Sequence, residues 1–252
     1  PDGYLYFATG IDIIRLANSS TMTGYDFPPE VLVKADNADV TPSDSQGLNR
    51  VADSAVPARF VASELRKDLF TWLPSYDEPM GQHYGYRTGV HSGPLKQGET
   101  YSFYSANLDR KYSEMTSDYM QKWHDVTLDR MRNWGFTSLG NWTDPAFYDN
   151  QQVPFFANGW IIGDYKTVSS GDDFWGNMPD VFDPKFKERA LHTVSVIAEE
   201  VKNTPWCVGV FIDNEKSFGR SETPQSRYGI VFNTLKRDGS KVPTKAAFTK
   251  LA

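Results

Sequence analysis

The apolar run Trp206-Cys207-Val208-Gly209-Val210-Phe211-Ile212 hands directly over to Asp213-Asn214-Glu215. A short buried strand normally ends in turn chemistry. Here it delivers consecutive polar groups of the kind that strand ends present to a cleft. A carboxyl group on such a rigid support suits proton transfer to a glycosidic oxygen, with Glu215 as general acid/base. An apolar strand beside a cleft is expected to raise its pKa by desolvation. Asn214 is placed to orient a sugar hydroxyl beside the reacting carbon, and Asp213 to hold the turn or pair with Lys216 or Arg220. Glycoside hydrolysis needs a second carboxylate, and none with comparable support follows Glu215 in the sequence.

Other polar clusters stand at similar positions. Asp12 and Arg15 lie near the end of the apolar stretch Tyr4–Leu16, facing a site or forming a surface ion pair. Asn141 and Trp142 close Phe136-Thr137-Ser138-Leu139-Gly140, as sugar contacts or as packing. Trp160 follows Val153–Ala157. Asp173 and Trp175 sit in Asp172-Asp173-Phe174-Trp175-Gly176, within a loop long enough to cover a cleft or make a simple turn. Asp12 and Asp173 are the in-chain candidates for a second carboxylate. No metal site is expected: His83, His91, His124 and His192 are scattered, and no His-x-x-x-His or Cys-x-x-Cys spacing occurs. No Walker loop or Gly-x-Ser-x-Gly elbow is present, and no cofactor is expected.

The elements that position these residues follow from the pattern. Tyr4–Leu16 reads as a first strand. Residues 18–111 form a long excursion rich in Pro, Gly, Ser and Asp, with a short helix over Pro57–Thr71. Helical periodicity runs from Tyr112 to Trp134, with Gly135 as its stop. Strands follow at Phe136–Trp142 and Val153–Ala157, separated by a helical turn at Asp144–Tyr148. Gly163–Pro179 is a second long loop. Asp183-Pro184 then supplies an N-cap and first-position proline for a helix reaching Val201. The strand ending at Glu215 comes next. Alternation of strands and helices predicts an α/β fold with parallel strands, the polar clusters all at strand C-terminal ends. At roughly 30 residues per unit, the chain without its excursion holds about four or five strands rather than eight. It therefore reads as a partial (β/α)8 TIM barrel, the first four strands of one truncated catalytic domain over residues 1–252. A doubly wound sheet is the alternative, without the Gly-rich phosphate turn expected after its first strand.

Composition limits the partners. The chain has a formal charge of −6 and a pI near 5.3. A nucleic-acid partner would need a clustered basic face. No apolar run approaches the ~18 residues of a membrane helix. The single Cys207 forms no internal disulfide and reads as a buried, inert thiol. Aromatic residues make up 14% of the chain, often beside Asn, Asp or Gly, as in sites that stack on sugar rings. The sequence opens at Pro1-Asp2-Gly3 without Met or a signal peptide, and Lys245–Ala252 looks like the first turns of an amphipathic helix. Both ends read as cut.

Several stretches resemble glycoside hydrolase family 50, the β-agarases. These are Phe7–Arg15, Gly140–Pro145, Pro179–Pro184, Gly209–Gly219, Arg227–Ile230 and Pro243–Phe248, in family order along nearly the whole chain. The resemblance implies a retaining β-agarase that cuts β-1,4 galactosidic links of agarose to neoagaro-oligosaccharides or neoagarobiose. It implies an acid/base Glu after an Asn at the end of strand four, matching Asn214-Glu215. It further implies a nucleophilic Glu at the end of strand seven, beyond Ala252, and an additional N-terminal carbohydrate-binding-like domain. On this reading the isolated segment is inactive, its open sheet edges invite self-association, and the parent enzyme is secreted or periplasmic because agar is an external polymer. The alternatives are a non-catalytic galactan-binding protein, and a complete small glycosidase using Asp12 or Asp173.

Overall fold

The structure is a computed structural model that describes residues 3–17, 19–22, 28–33, 40–41, 68–89, 95, 97–113 and 118–251. It divides into two compact units, one of Pro1–Phe156 with Thr204–Val208, the other of Ala157–Asn203 with Gly209–Ala252.

The principal sheet has the order β1-β5-β6-β9, with β1 at Gly10–Ile11, β5 at Ser138–Leu139, β6 at Phe155–Gly159 and β9 at Cys207–Ile212. β1 pairs parallel with β5 (Gly10 opposite Ser138), and β5 parallel with β6 (Leu139 opposite Phe155). β9 runs in the same sense as β6. At one end Phe155 N donates to Trp206 O (3.0 Å), and at the other Asp213 N donates to Gly159 O (2.9 Å). The α/β class and the parallel strands are therefore as the sequence predicts. The first strand is much shorter than expected: only Gly10 and Ile11 pair, and Phe7 is 84% exposed. β9 also departs from expectation. It occupies a sheet edge, and Val208, Val210, Phe211 and Ile212 are all exposed, while Cys207 is half-buried rather than enclosed. An edge strand has a neighbour on one side only, so its apolar residues find fewer partners.

In the first unit, β2 (Ser20–Thr21), β3 (Tyr84–Arg87) and β4 (Gly98–Tyr101) form an antiparallel sheet of order β2-β4-β3. It lies within the excursion, where the sequence showed no strand. All four residues of β3 are buried, and a run of only four residues, Tyr-Gly-Tyr-Arg, is too short to mark a strand by its pattern. Its core is aromatic: Tyr84 and Tyr101 meet at 4.7 Å between ring centroids, and Tyr76 packs on Tyr84 at the same distance. α1 (Phe103–Tyr112) starts at Ser102, whose hydroxyl accepts from Ser105 N. α2 (Tyr119–Asn133) starts at Asp118, whose carboxylate accepts from Met120 N and Gln121 N. The predicted Tyr112–Trp134 helix is thus divided: Tyr112 ends α1, and a local Asp cap sets the true start. The Pro57–Thr71 helix lies almost entirely outside the described residues.

In the second unit, β7 (Thr167–Val168) and β8 (Met178–Pro179) form an antiparallel pair. α3 (Pro184–Val201) begins at the expected Asp183 cap and packs on β6: a Cβ on Gly159 would stand 2.8 Å from Ile197 Cδ1. Three helices follow, α4 (Pro224–Arg227), α5 (Gly229–Leu235) and α6 (Pro243–Leu251). Thr244 ties α6 back to Asp180 through its backbone N–H (3.0 Å) and hydroxyl (2.7 Å). No helix among the described residues is long and apolar enough to cross a membrane.

Candidate functional site

Left-handed backbone at non-glycine residues gathers where strands end. Ile13 (φ 63°) follows β1, Trp142 (φ 57°) follows β5, and Asp213 (φ 59°) and Glu215 (φ 45°) follow β9. Such conformations cost about 1–3 kcal/mol each and persist where surrounding contacts over-determine them, commonly at functional sites. Ile13 is the most telling, because a β-branched side chain resists this region most.

In the first unit, the ends of β1 and β5 interlock. Asp12 Oδ1 accepts from Asn141 N (2.8 Å), Ile13 N donates to Asn141 O (2.8 Å), and Gly140 N donates to Ile11 O (2.9 Å). Asn141 is buried, and its side-chain oxygen accepts from Trp142 N (2.9 Å), which holds the tight turn. Asp12 and Asn141 are therefore occupied with backbone. Trp142 is half-buried. Arg15 lies near Asp144, whose carboxyl is raised by burial, a rise only partly offset by the Ala146 N–H and the charges of Arg15 and His124. Gly140 is required here: a Cβ would stand 2.0 Å from Asp12 Oδ1 and 3.0 Å from Ile11 O. Gly140→Ala is expected to destabilise the chain by about 1–3 kcal/mol by pushing Asp12 off the Asn141 amide. A urea melt that leaves the midpoint in place would contradict this geometry.

In the second unit, Asp213 organises the end of β9. Its N–H donates to Gly159 O, and its Oδ1 accepts from Ile161 N (3.0 Å). Burial raises the Asp213 carboxyl, partly offset by the Ile161 N–H and Lys216. Asp213 is the turn-holding residue. Arg220, one of the ion partners expected for it, instead pairs with Asp172 at 3.2 Å. Asn214 is half-buried between two left-handed residues, and Glu215 is exposed. The enclosure expected around Glu215 thus falls on Asp213, because Asp213 faces the neighbouring strand while Glu215 lies two residues beyond it. Trp160 is half-buried, and its carbonyl accepts from the Thr193 hydroxyl of α3 (3.0 Å).

The 169–176 loop carries Trp175, exposed and meeting Phe174 edge to face at 4.7 Å. Asp173 faces inward on its own loop, accepting from the Ser169 hydroxyl, Ser170 N (2.9 Å) and the Ser170 hydroxyl (3.1 Å). Burial alone would raise its carboxyl, but these bonds outweigh it and hold the pKa below the usual range. Serine-rich turns of this kind were legible as a turn. The partners Ser217, Arg220 and Asn233 were not, since nothing in their local sequence points to residues 45–64 positions away. Among the described residues no group of three or more His, Cys, Asp and Glu side chains gathers to hold a metal.

The chain matches no protein-family profile. It is 45% identical over 251 residues to "Beta-agarase B" of Vibrio sp. strain JT0107, which covers 99% of the chain and 24% of that protein. It is 36% identical over 258 residues to "Beta-agarase A" of the same organism, covering 98% of the chain and 22% of that protein. Among solved structures, an exo-β-agarase superimposes with a TM-score of 0.91 at 62% identity, over 100% of this chain and 34% of that one. PfGH50B superimposes with a TM-score of 0.85 at 65% identity, over 100% of this chain and 33% of that one. The chain thus spans about a quarter of the length of the curated relatives it matches and about a third of these structures.

Proposed function

The chain belongs to the β-agarases of glycoside hydrolase family 50, and from that premise we propose that it carries the proton-donor side of a retaining agarose-cleaving site, with Glu215 as general acid/base. The observation that carries this reading is Glu215 itself. It is exposed at the end of a parallel strand, beside Asn214, on a left-handed backbone pinned by Asp213. In the first step Glu215 gives its proton to the β-1,4 glycosidic oxygen as a carboxylate nucleophile attacks the anomeric carbon. In the second, Glu215 takes a proton from the water that releases the sugar. Asn214 holds the hydroxyl next to the reacting carbon. Trp160 and Trp175 present ring faces to galactose in the second unit. Asp12, Asn141 and Asp173 act indirectly, by fixing the loops on which they stand.

The nucleophile must lie ~5–5.5 Å from the acid/base in a retaining enzyme. Asp12 and Asp173 are poor candidates, because Asp12 Oδ1 is taken by the Asn141 N–H and the Asp173 carboxylate by the Ser170 N–H and the Ser169 and Ser170 hydroxyls. We place the nucleophile in the part of the agarase length that this chain does not match, which leaves the chain alone with little turnover. The same reasoning makes the β1-β5-β6-β9 sheet the first four strands of a (β/α)8 barrel. The exposed apolar β9 edge supports this, and it would let two isolated copies associate. Agarose is an external polymer, so the enzyme works outside the cytoplasm.

The test exchanges this segment for the matching stretch of Vibrio β-agarase B and follows agarose cleavage, with the chain alone in parallel. The chimera is expected to release neoagaro-oligosaccharides whose first-formed reducing ends are β by proton NMR. Reducing ends formed first as the α anomer, or a folded chimera that binds agarose without cutting it, would refute the proposal, the latter favouring a galactan-binding role.

A further inference from the structure

Two loops of the second unit rest on the same short helices. Asn233 Nδ2 on α5 donates to the Ser169 carbonyl (3.1 Å). A Cβ on Gly229, at the start of α5, would come within 2.1 Å of the Ser170 carbonyl, so the 169–176 loop lies against the first turn of that helix. The segment after Glu215 is seated alongside: a Cβ on Gly219 (φ 147°) would meet the Ser226 carbonyl of α4 at 2.1 Å. At Gly176 (φ 108°) a Cβ would lie 3.2 Å from Lys216 Nζ, so the residue next to Glu215 passes over the end of the other loop.

One side chain bridges the two loops directly. Asp172 Oδ1 forms an ion pair with Arg220 Nη2 (3.2 Å), and Asp172 Oδ2 stands at the long distance of 3.5 Å from Ser217 Oγ. Ser217 Oγ itself accepts from Gly219 N (3.1 Å), so it is fixed within the Glu215 segment. Asp173, the adjacent carboxylate, spends its acceptors inside its own loop.

We propose that Asp172 is a positioning residue that locks the Glu215-bearing segment to the loop carrying Phe174 and Trp175. The lock stands on geometry alone; its consequence for sugar rests on the agarase reading above. With the lock closed, the exposed Trp175 ring keeps a fixed spacing from the Glu215 carboxyl. A galactose ring stacked on Trp175 then sets which glycosidic oxygen meets that carboxyl.

Hydrogen exchange on the 252-residue chain tests the lock. In Asp172→Ala, the backbone amides of residues 214–220 are expected to exchange about 3- to 5-fold faster, the range a partly exposed ion pair supplies to a local opening. Arg220→Ala should do the same, the double variant should add little, and Arg220→Lys should recover most of the protection. Unchanged exchange in 214–220 for Asp172→Ala overturns the proposal. Binding of neoagarotetraose, followed by tryptophan fluorescence, gives a readout that a merely stabilising residue would not move: Kd should rise about threefold in Asp172→Ala with the urea midpoint unchanged. A Kd that stays constant while exchange accelerates overturns the positioning role. Accelerated exchange in Asp172→Ala, beside a wild-type chain that binds no sugar, upholds the lock and sinks the agarase reading instead.

Discussion

Glu215→Gln is expected to lower kcat on agarose by about 10²- to 10⁴-fold in the agarase chimera, the usual worth of a positioned proton donor. The amide keeps the size and the left-handed backbone at this position but cannot release a proton to the leaving oxygen. Since Glu215 is exposed, the exchange should leave stability within about 0.5 kcal/mol. Substrate binding should persist, so KM moves far less than kcat, the pattern of an interaction made chiefly in the transition state. The loss should shrink on an aryl β-galactoside whose leaving group departs without protonation. A variant that loses agarose and activated substrate equally, or that keeps full turnover, would remove Glu215 from the acid/base role. Parallel Asp213→Ala should behave differently, because the Asp213 side chain holds the turn through Ile161 N, and its loss should appear in the unfolding curve.

Asp109→Ala is expected to be the most damaging change to the first unit, at roughly 2–4 kcal/mol. Asp109 is a buried carboxylate on α1. It accepts from His83 Nε2 (2.9 Å), Gln82 Nε2 (2.8 Å) and the Ser113 hydroxyl. Truncation removes the carboxylate acceptor of a buried imidazole. Burial alone would raise this carboxyl, but the bonds from Ser113, His83 and Gln82 outweigh it and hold its pKa below the ordinary value. A depressed folded pKa means the stabilisation is present above the unfolded value of about 3.9 and is lost as pH falls through the folded pKa. Urea unfolding of the wild-type chain should therefore lose stability on acidification below about pH 4, with a shallower slope in Asp109→Asn. Equal slopes for the two would show that this carboxylate does not carry the acid sensitivity of the unit.

The segment that ends in Asn214-Glu215 was readable because its message is local. The seven-residue apolar run from Trp206 to Ile212 reads as a strand from its composition alone, and Asp213-Asn214-Glu215 is where that run ends. The Asp183-Pro184 cap of α3 was equally local, since both signals lie within one turn. Asp213 could be placed as a turn residue, though its true partners, Gly159 and Ile161, lie at and just beyond the end of another strand. The antiparallel β2-β4-β3 sheet escaped notice because its strands are two to four residues long, too short for a pattern to stand out. The break between α1 and α2 was missed because helical periodicity continues across it while Asp118 caps the second helix.

What the sequence determined by itself was the order of elements, the capping residues and the arrival of Asn214-Glu215 at a strand's end. These depend on side-chain period and on hydrogen bonds spanning a few residues. What only the tertiary structure decided was which carboxylates are spent on structure: Asp12 on Asn141, Asp213 on Ile161, Asp173 on Ser169 and Ser170, and Asp172 on Arg220. A carboxylate reads the same in every sequence, whereas its role depends on which donors the folded chain brings within about 3 Å, and that is fixed by the path of loops far apart in sequence.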